Sequence, residues 1–138
     1  MFELALHHVS VPTSNLAVST EFYETVLGLR RVPRPPFPIE GVWYAVGPLQ
    51  IHLTAHAHAN FRTAKSVDND DVHFALRVED FEAAVATLKS HGYDETFEGD
   101  HPKRLILKRT GMAGFPQVFL MDPERNVIEI NRAPYNYD

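Results

Sequence analysis

Eight histidines, at positions 7, 8, 52, 56, 58, 73, 91 and 101, are the unusual feature of this sequence. Neutral imidazole is the commonest protein metal ligand and titrates near neutrality, so position must decide which of the eight do chemistry. Four stand inside strand-like alternations. In LALHHVSV (4–11), Ala5, His7, Val9 and Val11 share one face and His8 lies on the other. In LQIHLT (49–54), His52 opposes Leu49, Ile51 and Leu53; in VHFALRV (72–78), His73 opposes Val72, Phe74, Leu76 and Val78. Glu129, between Ile128 and Ile130, is a carboxylate in the same situation. Burying it alone costs several kcal/mol, so it should be solvated, paired or coordinating. Two histidines and a carboxylate, His8, His73 and Glu129, form the ligand type expected for Fe(II) and compatible with Mn(II), Ni(II), Co(II) or Zn(II).

The elements that must position these residues occur twice. After the first strand, Thr13-Ser14-Asn15 supplies a helix cap, Leu16, Phe22, Tyr23, Val26 and Leu27 an apolar stripe, and Gly28 a stop. Strands are expected around 29–32, 42–46 and 49–54, with turns at Pro33–Pro38 and Gly47-Pro48. The second copy has its cap at Asp80, its stripe at Phe81, Ala84, Val85 and Leu88, and its stop at Gly92. Strands are expected near Thr96 and over 104–108, 117–121 and 126–131. His8 and His73 are 65 residues apart, and Leu16 and Phe81 keep the same offset. Aligning Gly47-Pro48 with Asp122-Pro123 brings His52 onto Glu129, with two residues inserted in the second copy. Each copy therefore carries one candidate ligand in its first strand and one in its last.

This arrangement resembles the vicinal oxygen chelate superfamily, which includes glyoxalase I, fosfomycin-resistance proteins, extradiol dioxygenases and methylmalonyl-CoA epimerase. The resemblance rests on HHVSV (7–11), SxxFYxxxLG (19–28), DVHFALRV (71–78) and DPxxNVIEI (122–130), which span nearly the whole chain. It implies an α+β fold in which two βαβββ modules form an open, curled mixed sheet of half-barrels with helices outside. Residues 1–138 then form a single glyoxalase/bleomycin-resistance/dioxygenase-like domain, with module one at about 1–66 and module two at about 67–138. First and last strands of a module would be neighbours, at the ~4.8 Å of paired strands. The resemblance also implies one divalent metal ion held by His8, His73 and Glu129, with His52 at a fourth, variable position. It implies a homodimer in which modules from two chains complete each site.

His52 departs from glyoxalase I, where this position bears glutamate; it is left as a ligand, an acid–base catalyst or a residue supporting the ligands. Phe119, near a helpful tyrosine of extradiol dioxygenases, lacks a hydroxyl. Substrate contacts are expected from Trp43, Arg77, Arg104 and Phe119, with core packing the competing reading for the two aromatics. Arg77 shares the His73 face and is otherwise an edge cation. His7 shares the Val9 face and should point away from the metal. His56, His58 and His101 read as loop residues, and His91 as a helix C-terminal residue facing the dipole. Thr110–Pro116, with two glycines, reads as a flexible cover, and Arg30–Pro38 as a stiff extended loop near the mouth of the site.

Bulk composition excludes other classes. The 138 residues suffice for a core without staples, and 44% apolar with 22% charged residues is ordinary for a soluble protein. Thirteen basic against 18 acidic residues give a net charge of −5, with no basic stripe for nucleic acid. Cysteine is absent, which removes disulfide and thiolate chemistry and fits a cytoplasmic home. No segment approaches the roughly 18 apolar residues of a membrane span, and the N-terminus lacks the features of a signal peptide. The expected function is a divalent-metal-dependent enzyme that chelates a small oxygen-rich substrate through two oxygens. Glyoxalase-like lyase or isomerase chemistry and extradiol-type oxygenation are both open. The alternatives are fosfomycin-resistance-type transfer or hydrolysis and metal-free sequestration of the bleomycin-resistance type.

Overall fold

The computed structural model describes residues 2–59, 62 and 65–135. The chain divides into two compact units, Met1–Phe61 and Arg62–Asp138. The first holds β1 (His8–Thr13), α1 (Leu16–Glu21), β2 (Arg30–Val32), β3 (Gly41–Val46) and β4 (Leu49–Ala55). The second holds β5 (His73–Arg77), α2 (Phe81–Ser90), β6 (Ile106–Lys108), β7 (Gln117–Met121) and β8 (Val127–Asn131). Each unit forms a four-stranded mixed sheet, in the orders β1-β4-β3-β2 and β5-β8-β7-β6. The outer pairs β1–β4 and β5–β8 are parallel and the remaining pairs antiparallel. This is the α+β fold of two βαβββ modules that the family resemblance implies.

The helices begin where their caps stand. Asn15 Oδ1 accepts from Val18 N at 3.2 Å, and Asp80 Oδ1 accepts from Ala83 N at 3.0 Å. Gly28 and Gly92 end them at φ +69° and +88°, a region that glycine enters without a Cβ penalty. Within each unit one sheet face buries the helical stripe. Val11, Tyr23, Tyr44, Ile51 and Leu53 lie in the first core, and Phe81, Val85, Leu88, Val118, Leu120, Ile128 and Ile130 in the second. Tyr23 and Tyr44 are fully buried with rings stacked 5.9 Å apart. Burial pushes the Tyr44 hydroxyl far above its usual titration, assisted by the Glu24 carboxylate to which it donates at 3.2 Å.

Three local expectations differ. The first strand starts at His8 rather than Leu4, because its partner β4 begins only at Leu49 and leaves residues 2–6 without a ladder. Leu4 and Leu6 are 85% and 66% exposed as a result. The first helix does not run evenly to Gly28; from Phe22 to Val26 it widens into a π-turn, in which Leu27 N donates to Phe22 O at 3.1 Å. Thr20 Oγ1 lies against the carbonyls of Leu16 and Ala17, at 2.8 and 2.9 Å, just before the widening, a back-bond of the kind that loosens a helix. Near Thr96 there is only an isolated bridge, Asp94 to Arg104, because this segment meets no longer partner strand. Asp80→Ala should cost about 1 kcal/mol by urea unfolding, lowering the midpoint without changing the slope.

Candidate functional site

Register places the candidate ligands. In the first unit His8 lies opposite Gln50 and Ser10 opposite His52, so the two histidines are diagonal neighbours on one face. In the second His73 lies opposite Val127 and Ala75 opposite Glu129, the same two-residue offset. The third strand adds an aromatic in each case: Trp43 opposes His52, and Phe119 opposes Glu129.

In the first unit the rings form a column. His52 stacks on His8 at 4.0 Å and on Trp43 at 4.0 Å, with interplanar angles of 16° and 5°. Held on both faces and only 7% exposed, it keeps one orientation. Its Nε2 lies 2.7 Å from Gln50 Oε1; an amide oxygen only accepts, so Nε2 carries the hydrogen and Nδ1 the lone pair. Burial, and then the positive fields of His8, His7 and Arg34, pull its titration below the usual histidine value. At neutral pH His52 is therefore an uncharged imidazole.

The second unit presents an ion-type pair. His73 Nε2 lies 3.5 Å from Glu129 Oε2, and the other carboxylate oxygen accepts from Gln117 Nε2. His73 Nδ1 lies 2.7 Å from Asp71 O; a carbonyl only accepts, so Nδ1 donates. With Nδ1–H donated, Nε2 is the ring atom turned toward a carboxylate that is 6% exposed, and without a proton it would present a lone pair to it. Two acceptors at this distance repel unless a positive centre, a proton or a metal ion, stands between them. A backbone carbonyl orienting one imidazole nitrogen while the other faces outward is the support that metal-binding histidines use. The donor chemistry thus fits a divalent ion, and each module furnishes two donors. Among the described residues no three His, Asp or Glu side chains are grouped to hold a metal ion.

The other candidates separate. Trp43 joins the His52 column, and Phe119 meets the His73 ring edge-on at 5.5 Å while packing in a cluster with Val67, Met121 and Val127. Arg77 is committed elsewhere: Nε donates to Ala133 O and Nη1 to Glu79, both at 2.5 Å, and Cζ lies 4.1 Å from the Tyr135 ring. Arg104 donates to Gly99 O at 3.1 Å, outside β6. His56 and His58 are exposed beyond β4, His91 caps α2, and the His101 ring stacks on Phe97 at 3.8 Å.

His7 does not turn away from the site. It precedes β1, so strand alternation does not govern it; its Nδ1 lies 2.9 Å from His8 Nδ1, and it lines one cavity with His8 and His52. Sequence reasoning also missed Gln50, Gln117, Arg34 and Phe37. The glutamines were accessible: Gln50 precedes His52 by two on the same pleat face, as Gln117 precedes Phe119.

The model of the Glyoxalase/Bleomycin resistance protein/Dioxygenase superfamily matches residues 5–130. No curated protein is significantly similar in sequence. Among solved structures, a glyoxalase family protein from Bacillus anthracis superposes with a TM-score of 0.72 at 17% identity, covering 97% of this chain and 98% of that one. A bleomycin-binding protein complexed with bleomycin gives 0.65 at 21% identity, covering 96% and 100%. A fosfomycin resistance protein from Listeria monocytogenes gives 0.70 at 9% identity, covering 97% of both chains. These likenesses are likenesses of fold.

The depressed titration of His52 has a measurable consequence. Below about pH 6.5 the unfolded chain protonates this histidine while the folded chain does not, so stability falls as pH drops from 6.5 toward the lowered folded value. His52→Phe should show a smaller stability loss between pH 7 and 5.5 than wild type, measured by urea unfolding of chelator-treated protein.

Proposed function

Because the chain belongs to the Glyoxalase/Bleomycin resistance protein/Dioxygenase superfamily, we propose that it is a divalent-metal-dependent enzyme acting on a small oxygen-rich substrate. The observation that carries this reading is the facing of His73 Nε2 and Glu129 Oε2, 3.5 Å apart, a pair that a proton or a metal ion between them would satisfy. The matching pair His8 and His52, at the same register offset in the other module, supports it. His8, His73 and Glu129 would hold the metal. A divalent ion supplies Lewis-acid polarisation of two neighbouring substrate oxygens.

His52 is the proton-transfer group in this reading. With Nε2–H donated to Gln50, Nδ1 is the basic atom, and the ring's neutrality at pH 7 keeps it ready to accept. The Trp43 and His8 rings restrict its motion, so the base is aligned before substrate arrives. Gln117 and the Asp71 carbonyl orient Glu129 and His73 in the same way. A rigid, uncharged base favours lyase or isomerase chemistry, in which a substrate proton is moved, over oxygenation.

A homodimer belongs to the same reading. β1 and β5 each end a sheet and pair on one side only, and exposed Leu6 and Val72 lie just before them. A second copy meeting these edges would cover apolar surface and unpaired backbone together. Among the described residues no helix is long and apolar enough to cross a membrane, and a cytoplasmic setting is proposed with the enzyme.

The test is metal analysis of protein purified without chelators, followed by melting with Fe(II), Mn(II), Ni(II), Co(II) and Zn(II). One of these ions should co-purify or raise the melting temperature. His73→Ala should abolish that response with the fold intact by circular dichroism, and Gln117→Ala should weaken metal affinity about 10–100-fold. Absence of any bound metal together with no thermal response to any ion would instead support metal-free sequestration.

A further inference from the structure

Between β2 and β3 the chain runs through Pro33-Arg34-Pro35-Pro36-Phe37-Pro38-Ile39-Glu40. Four prolines limit the backbone freedom of this strap, and Phe37 N donates to Pro35 O at 2.8 Å. The strap forms one wall of a cavity of ≈ 510 Å³. His8, His52 and Trp43 form another, and Arg34, Phe37 and Ile39 face it from the strap. That volume is in the range of small-molecule sites, and all its lining residues belong to the first unit.

Arg34 is held in place without being neutralised. Its Nη2 donates to Ile39 O at 2.7 Å, and its Cζ stands 5.0 Å from the centre of the Phe37 ring. Gly41 makes room for it: a Cβ there would lie 2.9 Å from Nη2, and 2.4 Å from the Leu53 carbonyl. Among the described residues no carboxylate pairs with Arg34, whereas Arg31, Arg77, Arg109 and Arg132 each have a glutamate. Its Nε is buried with no hydrogen-bond partner, and no residue lining the cavity is acidic. A guanidinium positioned by a carbonyl, a ring and a glycine, beside aromatic walls and with no ion pair among the described residues, has the properties of an anion-binding group.

We propose that this cavity binds a small planar carboxylate, the ring or conjugated body lying against Trp43 and Phe37 and the carboxylate meeting Arg34. Arg34 lines the cavity and no acidic residue does, so Arg34 sets the preference for an anion. The aromatic column favours a flat body over a branched aliphatic one, because offset stacking gains more than area burial alone. This names the substrate class of the proposed enzyme and rests on His8 and His52 marking its reactive end; the binding of the carboxylate itself needs no metal.

Trp43 is the sole tryptophan of the chain, so its fluorescence reports directly on the cavity. The experiment titrates chelator-treated protein with benzoylformate, an aromatic 2-oxo acid, and separately with its neutral methyl ester. Saturable quenching by the acid is expected, with the ester at least about tenfold weaker, the factor that one charge-assisted hydrogen bond supplies. Arg34→Gln retains a donor for Ile39 O and should bring acid and ester to equal affinity; Phe37→Ala should weaken both, the acid at least as much as the ester because Phe37 also seats Arg34. Equal binding of acid and ester by the wild type, which requires no variant, overturns the inference. So does an acid preference that survives in folded Arg34→Gln. Protein that takes up no metal but discriminates acid from ester would sink the metal reading alone. Protein that binds metal without discriminating would sink this one alone.

Discussion

Two parallel strands can neighbour each other only when the chain between them crosses over, and here that crossover is a helix followed by two antiparallel strands. The pairing of β1 with β4, and of β5 with β8, brings His8 to His52 and His73 to Glu129 across the whole length of each module. Strand alternation does the rest: one face is filled by the helix, and the opposite face receives whatever the other parity carries. Neither pair needs a local motif. Both arise from holding register at a two-residue offset, so a slip of one residue in β4 or β8 would turn His52 or Glu129 into the helix-packed core.

The two modules use this common geometry in different electrostatic ways. Module one buries an imidazole in an aromatic column, where burial favours the uncharged form and stacking restricts rotation. Module two buries a carboxylate in a strand flanked by Ile128 and Ile130, where it is tolerable because Gln117 donates to one oxygen and the other faces His73. Trp43 and Phe119 occupy matching register positions, yet one stacks on its histidine while the other meets His73 edge-on and joins an apolar cluster. A buried imidazole and a buried carboxylate are thus produced from one backbone plan by changing a handful of inward-facing side chains.

Period-two alternation, the Asn15 and Asp80 caps and the two helix-ending glycines were legible because each is a local signal that the tertiary structure does not override. They were enough to read two modules and the faces of His8, His52, His73 and Glu129. The first strand's start was not legible, since where β1 begins depends on where β4 begins, more than forty residues later. The π-turn at Phe22–Val26 has no period of its own in so short a stretch. Arg77 was attractive on parity alone, but parity says nothing of Glu79 and Ala133, which occupy its guanidinium. His7 was misjudged for the converse reason: alternation was extended past the end of the strand that enforces it.

Arg34 escaped notice because its setting is made by a connection rather than by the repeat. The β2–β3 link runs over residues 33–40, and the corresponding β6–β7 link over residues 109–116, so the two are equal in length. One contains four prolines and the other two glycines. Proline removes backbone freedom and glycine adds it, so the same topological slot is a stiff wall in module one and a loop around its own hollow in module two. A wall with little conformational entropy to lose can hold an arginine at a set height over Gly41 and beside Trp43, which a glycine-bearing loop would do at greater entropic cost. The lining of this cavity can then change through this link alone, while the paired strands keep the histidines and the glutamate in register.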